Sequence, residues 1–503
     1  MNENVKGSKI AFAKNLKKHN FSLALTVPID ANVNIKNILD VSSYMFDQKI
    51  ECGNGKAVIS GKIGLKVLYI DTDNFTNTVS TYQSFNETYL DETLTNDCFV
   101  NIFNNVIVNN ILSIDSVLKV NCEVSISPIL YLNIALTNNL LNLEDLIIKK
   151  SEINTQTISK IINTNFDYSL NFETKENVSK ILCCNSYFTA SKITAGENIA
   201  IVEGKICSSV IFESLVQDET VIKRIDDIFN VKYDIPIDGL NLDDLLDLSF
   251  LINKANETIS TEIEEDTNII NVKHNILVNG VSLKNVSIDM INDLYSTTNE
   301  IDINFCKRDI SKTTEHYSLI ENVSNEINLN ADEDAIDEIV ANLNILPEIT
   351  NTYIKDGNLF LEGVVSSNLI FINENKEIKQ KQIELPFIID SKISLNELNC
   401  VHTDINITDY KCKIKRGVVI EPEYMIHINI EVYKKENQEI VDNFTLGKTL
   451  DFGDIDFQIY LAKPNETMWE LCKRIKVSPD EITKLNKDLP LVMQGGEKIV
   501  IKR

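Results

Sequence analysis

The sequence predicts a mainly β protein, three repeated β-rich modules followed by a small α+β unit of β-α-α-β order. Three observations carry that expectation. The stretches Ile59 to Tyr69, Val202 to Phe212 and Leu361 to Phe371 align without a gap on Gly61, Gly204 and Gly363. Alternate positions along them are apolar, as in Ala57, Ile59, Ile63, Leu65, Val67 and Tyr69, which is the period of a strand and not of a helix. Two helix-start signatures, Thr467-x-x-Glu470 and Ser478-x-x-Glu481, stand near the C-terminus, each able to cap a helix reciprocally.

The glycines lie 143 and 159 residues apart, the size of whole small domains and far above the ~20 to 50 residues of a solenoid repeat. Three independent, related domains are therefore expected. Each glycine falls on the apolar face of its strand, where a missing side chain marks a bulge, a bend or a close backbone approach. The upstream segments Ile35 to Val41, Val178 to Cys184 and Ile336 to Leu343 suit either a short helix or a strand. Downstream, the pairs Phe85 with Tyr89, Phe229 with Tyr233, and Ile383 with Phe387 suit one face of a second strand, packed in a core rather than stacked on a ligand. The polar stretches Asp71 to Asn74 and Asn373 to Lys376 read as hairpin loops. Further strands are expected over Phe99 to Val108, Val117 to Ile126, Asn268 to Leu277, Asp404 to Ile414 and Tyr424 to Val432. In the last, apolar Tyr424, Ile426, Ile428, Ile430 and Val432 alternate with Met425, His427, Asn429 and Glu431, which implies one buried and one wet sheet face.

These limits divide the 503 residues into a tail (1–25), modules over 26–140, 165–290 and 320–436, a linker (437–457) and the α+β unit (458–503). Hydrophobic residues make up 43% of the chain, enough for several cores. The net charge of −26, from 74 acidic and 48 basic residues, argues against nucleic acid or an anionic membrane as partner, since both need a clustered positive face. Lys14, Lys17 and Lys18 form the densest basic group and fit a flexible tail. The acidic group Asp332 to Asp334 with Asp337 and Glu338 reads as the start of the third upstream helix, where the dipole favours negative charge, rather than as a metal site. No transmembrane segment and no signal peptide are read, so the chain is expected in the cytoplasm.

The ten cysteines include no Cys-x-x-Cys pair and read as reduced, half-buried hydrophobes. Adjacent Cys183 and Cys184 would face opposite sides of a strand, which disfavours joint metal ligation. The five histidines are scattered, so no metal site and no cofactor are expected. The Asp71 loop fails as a calcium loop because Thr76 and Tyr82 occupy the positions that need glycine and glutamate. His402 and Asp404 would share a strand face, but without a nucleophile they read as a surface pair. No catalytic residue is expected, and the chain does not read as an enzyme.

From Ile459 the pattern changes. A strand at Ile459 to Leu461 precedes two capped helices, Pro479 occupies a first helical position, and Gly495-Gly496 turns into a strand at Lys498 to Ile501. The first helix would bury Met468, Leu471, Cys472 and Ile475, and the second Ile482 and Leu485. Tyr460, Pro464 to Thr467, Trp469, Val477 to Ile482, Leu485-Asn486 and Gly496 to Ile499 resemble a LysM domain, with Asn465 where that family usually has glycine. The resemblance implies a partner- or glycan-binding surface made of Pro464, Asn465, Glu466, Thr467, Trp469, Asn486, Leu489, Pro490 and Leu491, with Trp469 either in the interface or wholly in the core. Val27-Pro28-Ile29 followed by Ile35-x-x-Ile38-Leu39, together with the glycine strands, resembles the SPOCS modules of clostridial spore coat proteins. Three such modules before a LysM domain are similar to the SipL-type family of spore coat morphogenesis proteins. That resemblance implies a mother-cell scaffold at the forespore surface, docking through LysM on the coat-founding morphogenetic ATPase and meeting other coat proteins. The alternative it leaves open is a wall- or cortex-associated protein that binds peptidoglycan, that is, N-acetylglucosamine polymers.

Overall fold

Apolar–polar alternation sustained over long runs favours strands wherever a second sheet can cover the apolar face. In the computed structural model strand accounts for 80% of the residues and helix for 4%, which places the chain in the mainly β class. The structure describes residues 9–15, 19–28, 35–92, 94–96, 98–114, 117–135, 145–216, 219–264, 267–329, 335–395, 399–452 and 457–502.

The first β-sandwich comprises β1 (Lys9–Asn15), β2 (His19–Pro28), β3 (Ile35–Gly53), β4 (Lys56–Asp71), β5 (Thr76–Leu90), β6 (Cys98–Ile114) and β7 (Val117–Ala135). Strands β3-β4-β5 form an antiparallel meander, and β7 is central in the facing sheet, with β1 and β2 along one edge and β6 along the other. The second sandwich follows the same order: β8 (Leu146–Thr174), β9 (Val178–Ala195), β10 (Ile199–Val216), β11 (Glu219–Pro236), β12 (Leu245–Ile252), β13 (Thr258–Glu264) and β14 (Thr267–Ser296). Its meander is β9-β10-β11, and β14 lies between β8 and the β12, β13 edge. The third contains β15 (Asn299–Ser324), β16 (Ile327–Asn328), β17 (Ile336–Lys355), β18 (Asn358–Asn373), β19 (Ile378–Ser394), β20 (Asn399–Arg416) and β21 (Val419–Thr449), with the meander β17-β18-β19 and β21 central in the other sheet. The C-terminal unit is β22 (Phe457–Leu461), α1 (Met468–Ile475), α2 (Pro479–Leu485) and β23 (Lys498–Lys502).

Each sandwich core lies between its meander and its long central strand. Ile59, Ile63 and Leu65 meet Leu118, Val120 and Val124 in the first, and Leu361 and Val365 meet Ile426, Ile428 and Ile430 in the third. Phe85 and Tyr89 are buried, Tyr233 stacks on Phe166 with centroids 4.3 Å apart, and Phe387 joins the third core. Gly61, Gly204 and Gly363 each sit beside a register shift on the upstream strand. A Cβ at Gly204 would press into the Thr189 carbonyl oxygen, and one at Gly363 into the Glu348 carbonyl oxygen and the Phe387 ring. At Gly61 it would stand 3.0 Å from Phe85 Cε1 and 3.2 Å from the Phe46 carbonyl oxygen.

The central meander strands are buried on both faces over their second halves, which departs from the expected single buried face: Val67, Leu68, Tyr69 and Ile70 are all buried, whereas β19 keeps the expected alternation. Their outward faces meet in one apolar cluster drawn from all three sandwiches. Leu68, Ile211 and Ile370, each seven residues past its glycine, belong to it. So do Leu39, Leu182 and Val340, each the extra residue of a β-bulge, skipped where Ile38 and Asp40 pair Tyr69 and Leu68, and where the matching residues of β9 and β17 do the same. Polar contacts surround this centre. The Lys180 ammonium donates to the Thr76 carbonyl at 2.6 Å, the Ile345 N–H to the Tyr187 hydroxyl oxygen at 2.7 Å, and the Asn344 and Asn368 amides to Asp40 Oδ1 at 2.7 and 2.9 Å.

Several expectations change accordingly. The three domains share a core and are not independent. The upstream segments are strands, and the acidic stretch therefore does not open a helix: β17 begins at Ile336, Asp337 pairs with Lys376, and residues 332–334 lie outside the described residues. The region read as a tail carries β1 and most of β2, with Lys17 and Lys18 outside the described residues, and the region read as a linker carries the end of β21. The second and third modules start at β8 and β15, well before residues 165 and 320. Those strands pair with partners 94 to 150 residues away, which leaves no local signature.

Gly363→Ala and Gly204→Ala are expected to lower the thermal midpoint, each by the equivalent of ~1–3 kcal/mol, and Gly61→Ala by less; a larger loss at Gly61 in thermal melts contradicts the close-approach argument. Burial raises the Asp40 carboxyl from 3.8 to about 6. Its proton is thus held more tightly folded than unfolded, so this contribution to stability is full below about pH 4 and lost as pH rises through about 6. Asp40→Asn should flatten the decline in melting temperature over that window, removing up to ~3 kcal/mol of it; parallel profiles for the two proteins overturn the assignment.

Candidate functional site

Both capping boxes of the C-terminal unit form. Thr467 Oγ1 accepts from the Glu470 N–H at 3.2 Å while Glu470 Oε2 accepts from the Thr467 N–H at 2.8 Å, and Ser478 and Glu481 repeat the exchange ahead of Pro479. Leu471, Cys472, Ile475 and Ile482 pack with Ile499 and Ile501 of β23, and Met468 covers their edge. Leu485, expected in this core, is exposed because α2 ends there, with the Asn486 N–H bonded back to the Ile482 carbonyl.

The loop after β22 and the segment after α2 lie side by side. The Asn465 N–H donates to the Met493 carbonyl at 2.8 Å, the Met493 N–H to the Glu466 carbonyl at 2.8 Å, and the Met468 N–H to the Leu491 carbonyl at 3.0 Å. Asn465 holds φ 62°, a left-handed conformation that asparagine tolerates nearly as well as glycine. Besides Thr467, whose hydroxyl is spent in its capping box, two more of the expected contact residues are consumed internally. The Glu466 carboxylate takes a fork from Arg474 Nε and Nη2 at 2.7 and 2.8 Å and the Lys463 N–H at 2.9 Å, and the Arg474 bonds hold its pKa below the usual range. The Asn486 amide clamps β23, donating to the Val500 carbonyl and accepting from the Val500 N–H at 2.7 Å each. Leu489 packs partly into the core, whereas Pro464, Asn465 and Pro490 are exposed, as are Leu491 at 84% and Val492 at 50%.

Trp469 points away from this lip, toward the second sandwich. Its Nε1–H donates to Asp293 Oδ2 at 2.7 Å, its ring meets Tyr295 edge-on at 5.2 Å, and Lys473 Nζ reaches Asp293 Oδ1 at 2.6 Å. The buried Tyr295 hydroxyl donates to the Val477 carbonyl at 2.7 Å. Trp469 thus belongs to a seam within the chain, a role for which Asp293 and Tyr295, lying some 175 residues upstream, give no sequence signal.

A cavity of about 2490 Å³ opens between the three sandwiches, and His402, Asp404, Asp247, His316 and Glu431 line it. His402 and Asp404 therefore face this cavity and not the open surface. Burial raises the Asp404 and Glu431 carboxyls, and the neighbouring Asp247 raises both further. Deeper in, Ser318 Oγ lies 2.6 Å from His427 Nε2, and burial lowers the imidazole pKa. His427 Nδ1 makes no hydrogen bond, so this serine–histidine pair has no group to orient the base as nucleophilic catalysis requires. Among the described residues one group could hold a metal, namely Cys184, Glu257 and His274 in the second sandwich. No protein-family model matches the chain, and neither does any curated protein or solved structure.

Asp293→Ala strips the partner from both Trp469 and Lys473. Limited proteolysis of the full chain is expected to separate the C-terminal unit from the body severalfold faster in this variant, and Leu491→Asp, on the opposite lip, should leave the rate unchanged. Equal rates for Asp293→Ala and the native chain contradict the seam.

Proposed function

We propose that the chain is a non-enzymatic assembly scaffold of the SipL type, in which three copies of a SPOCS-like module carry a terminal LysM-like unit. The unit docks on the coat-founding morphogenetic ATPase at the forespore surface, in the mother-cell cytoplasm, and the sandwiches present further surface to other coat proteins. The observation that carries this reading is the chemistry of the lip. Its exposed residues are Pro464, Asn465, Pro490, Leu491 and Val492, four of the five apolar, while Glu466 and Asn486 are tied up and the tryptophan is turned inward. Sugar recognition draws on free polar groups and exposed aromatic faces; an apolar lip suits a protein partner. Charge agrees: residues 457–503 hold nine Lys and Arg against six Asp and Glu, in a chain whose net charge is −26. A locally positive unit attracts an acidic partner, with Lys473 already spending one of those charges on Asp293 of the second sandwich. The recurring glycine, bulge and meander support reading the sandwiches as copies.

One observation favours the second reading, N-acetylglucosamine polymers. Asn465 keeps the left-handed turn that a glycine would make, so the departure from the family pattern leaves the loop shape available to a sugar.

The full chain and a Pro490→Glu, Leu491→Glu double variant should be compared for retention of the morphogenetic ATPase from sporulating-cell lysate and for sedimentation with purified peptidoglycan. The native chain is expected to retain the ATPase, the variant to lose at least tenfold of that binding, and neither to sediment. Undiminished capture by the variant, with native protein pelleting on peptidoglycan, replaces the protein-docking reading with the glycan one.

A further inference from the structure

The inward row of β14 is Ile270, Val272, His274, Ile276 and Val278, every one fully buried. The corresponding rows, Leu118, Val120, Cys122 and Val124 on β7 and Ile426, Ile428 and Ile430 on β21, hold no imidazole. A histidine among aliphatic side chains in a sandwich core is costly unless its ring nitrogens find partners. His274 Nδ1 lies 3.3 Å from Glu257 Oε1, yet neither ring nitrogen makes a hydrogen bond. The third neighbour is the Cys184 thiol, and one ligand atom from each residue falls within 4.8 Å of the other two. They reach this point from separate elements, Cys184 from β9, Glu257 from the turn between β12 and β13, and His274 from β14.

We propose that Cys184, Glu257 and His274 form a binding site for a divalent cation of the zinc class inside the second sandwich. Sulfur, nitrogen and carboxylate oxygen together match the borderline softness of zinc. Bond lengths of ~2.0–2.3 Å put tetrahedral ligand atoms roughly 3.3–3.7 Å apart, so closing the site takes side-chain rotations of about 1 Å. Charge also balances: a thiolate and a carboxylate neutralise the dication and the imidazole stays neutral, which suits a buried location. Binding breaks the Cys184 S–H bond and releases that proton to solvent, with no change of oxidation state. Ser186 and Ser208 lie 3.3 and 3.5 Å from the sulfur and can turn their hydroxyls to donate to the thiolate. His274 is fully enclosed, whereas Cys184 and the Glu257 side chain are 9% and 10% accessible, so the cation enters past those two. Cys183 faces the other way, into the centre shared by the three sandwiches, and takes no part.

The test uses the full chain without a histidine tag. Metal analysis is expected to find about one zinc per chain, cobalt loading to give a thiolate-to-metal charge-transfer band, and zinc to raise the melting temperature of chelator-treated protein. Cys184→Ser should lose the band and Cys183→Ser keep it, while His274→Gln should lose the melting response to zinc. The native chain alone can overturn the proposal: only trace zinc on purification, with a melting temperature indifferent to added zinc and no cobalt band, shows His274 and Glu257 to be a buried pair without a metal. A cobalt band of full intensity in Cys184→Ser places the metal elsewhere and overturns it equally.

Discussion

The architecture depends on one apolar contact, the meeting of three meander sheets back to back. A sheet that is apolar on both faces must be covered twice. Each meander covers one face with its own long central strand and meets the other two meanders with the second, where β20 of the third sandwich adds Ile407 and Tyr410 over Thr189 and Tyr187. Leu39, Leu182 and Val340 can reach that centre because a bulge takes each out of the ladder and turns its side chain off the regular alternation. A one-residue change in register would exchange the two faces, so bulge and centre require one another.

The polar contacts around that centre favour specificity over raw stability. Asp40 is buried at a cost visible in its raised pKa, and two amides of the third sandwich satisfy it. An apolar patch alone would permit sliding; a buried acceptor with two fixed donors permits one arrangement. Farther out, Asp247 of the second sandwich and Asp404 and Glu431 of the third face a common cavity. The sandwiches are joined at the meanders and again where the far end of β14 packs on β15 and β21 through Met290, Leu294, Ile440 and Val441, and a cavity opens between.

The C-terminal unit follows a similar economy. Its aromatic residue serves attachment, since the Trp469 indole and Lys473 share the Asp293 carboxylate and Val477 receives the Tyr295 hydroxyl. Attachment consumes one side of the unit and leaves the lip around Leu491 on the other. A docking element held in fixed orientation loses less entropy on binding than one on a free tether.

The sequence by itself determined the β class, the glycine strands, the hairpin pairs and the two capped helices. These rest on contacts within a few residues of one another: the alternation of Ile59 to Tyr69, the Thr467–Glu470 exchange, the turn at Asp71. The side-by-side placement of the Asn465 loop and the Leu491 segment was expected only through the resemblance to a LysM domain, since no local pattern pairs the two. What only the tertiary structure decided is where second faces go. Whether Trp469 meets a partner or its own chain, whether 9–28 trails or pairs, and whether His274 stands alone or beside Cys184 and Glu257 turn on residues some 15 to 175 positions apart. Local periodicity fixes which side of a strand is apolar, but the neighbour that buries it is chosen by the packing of the whole chain.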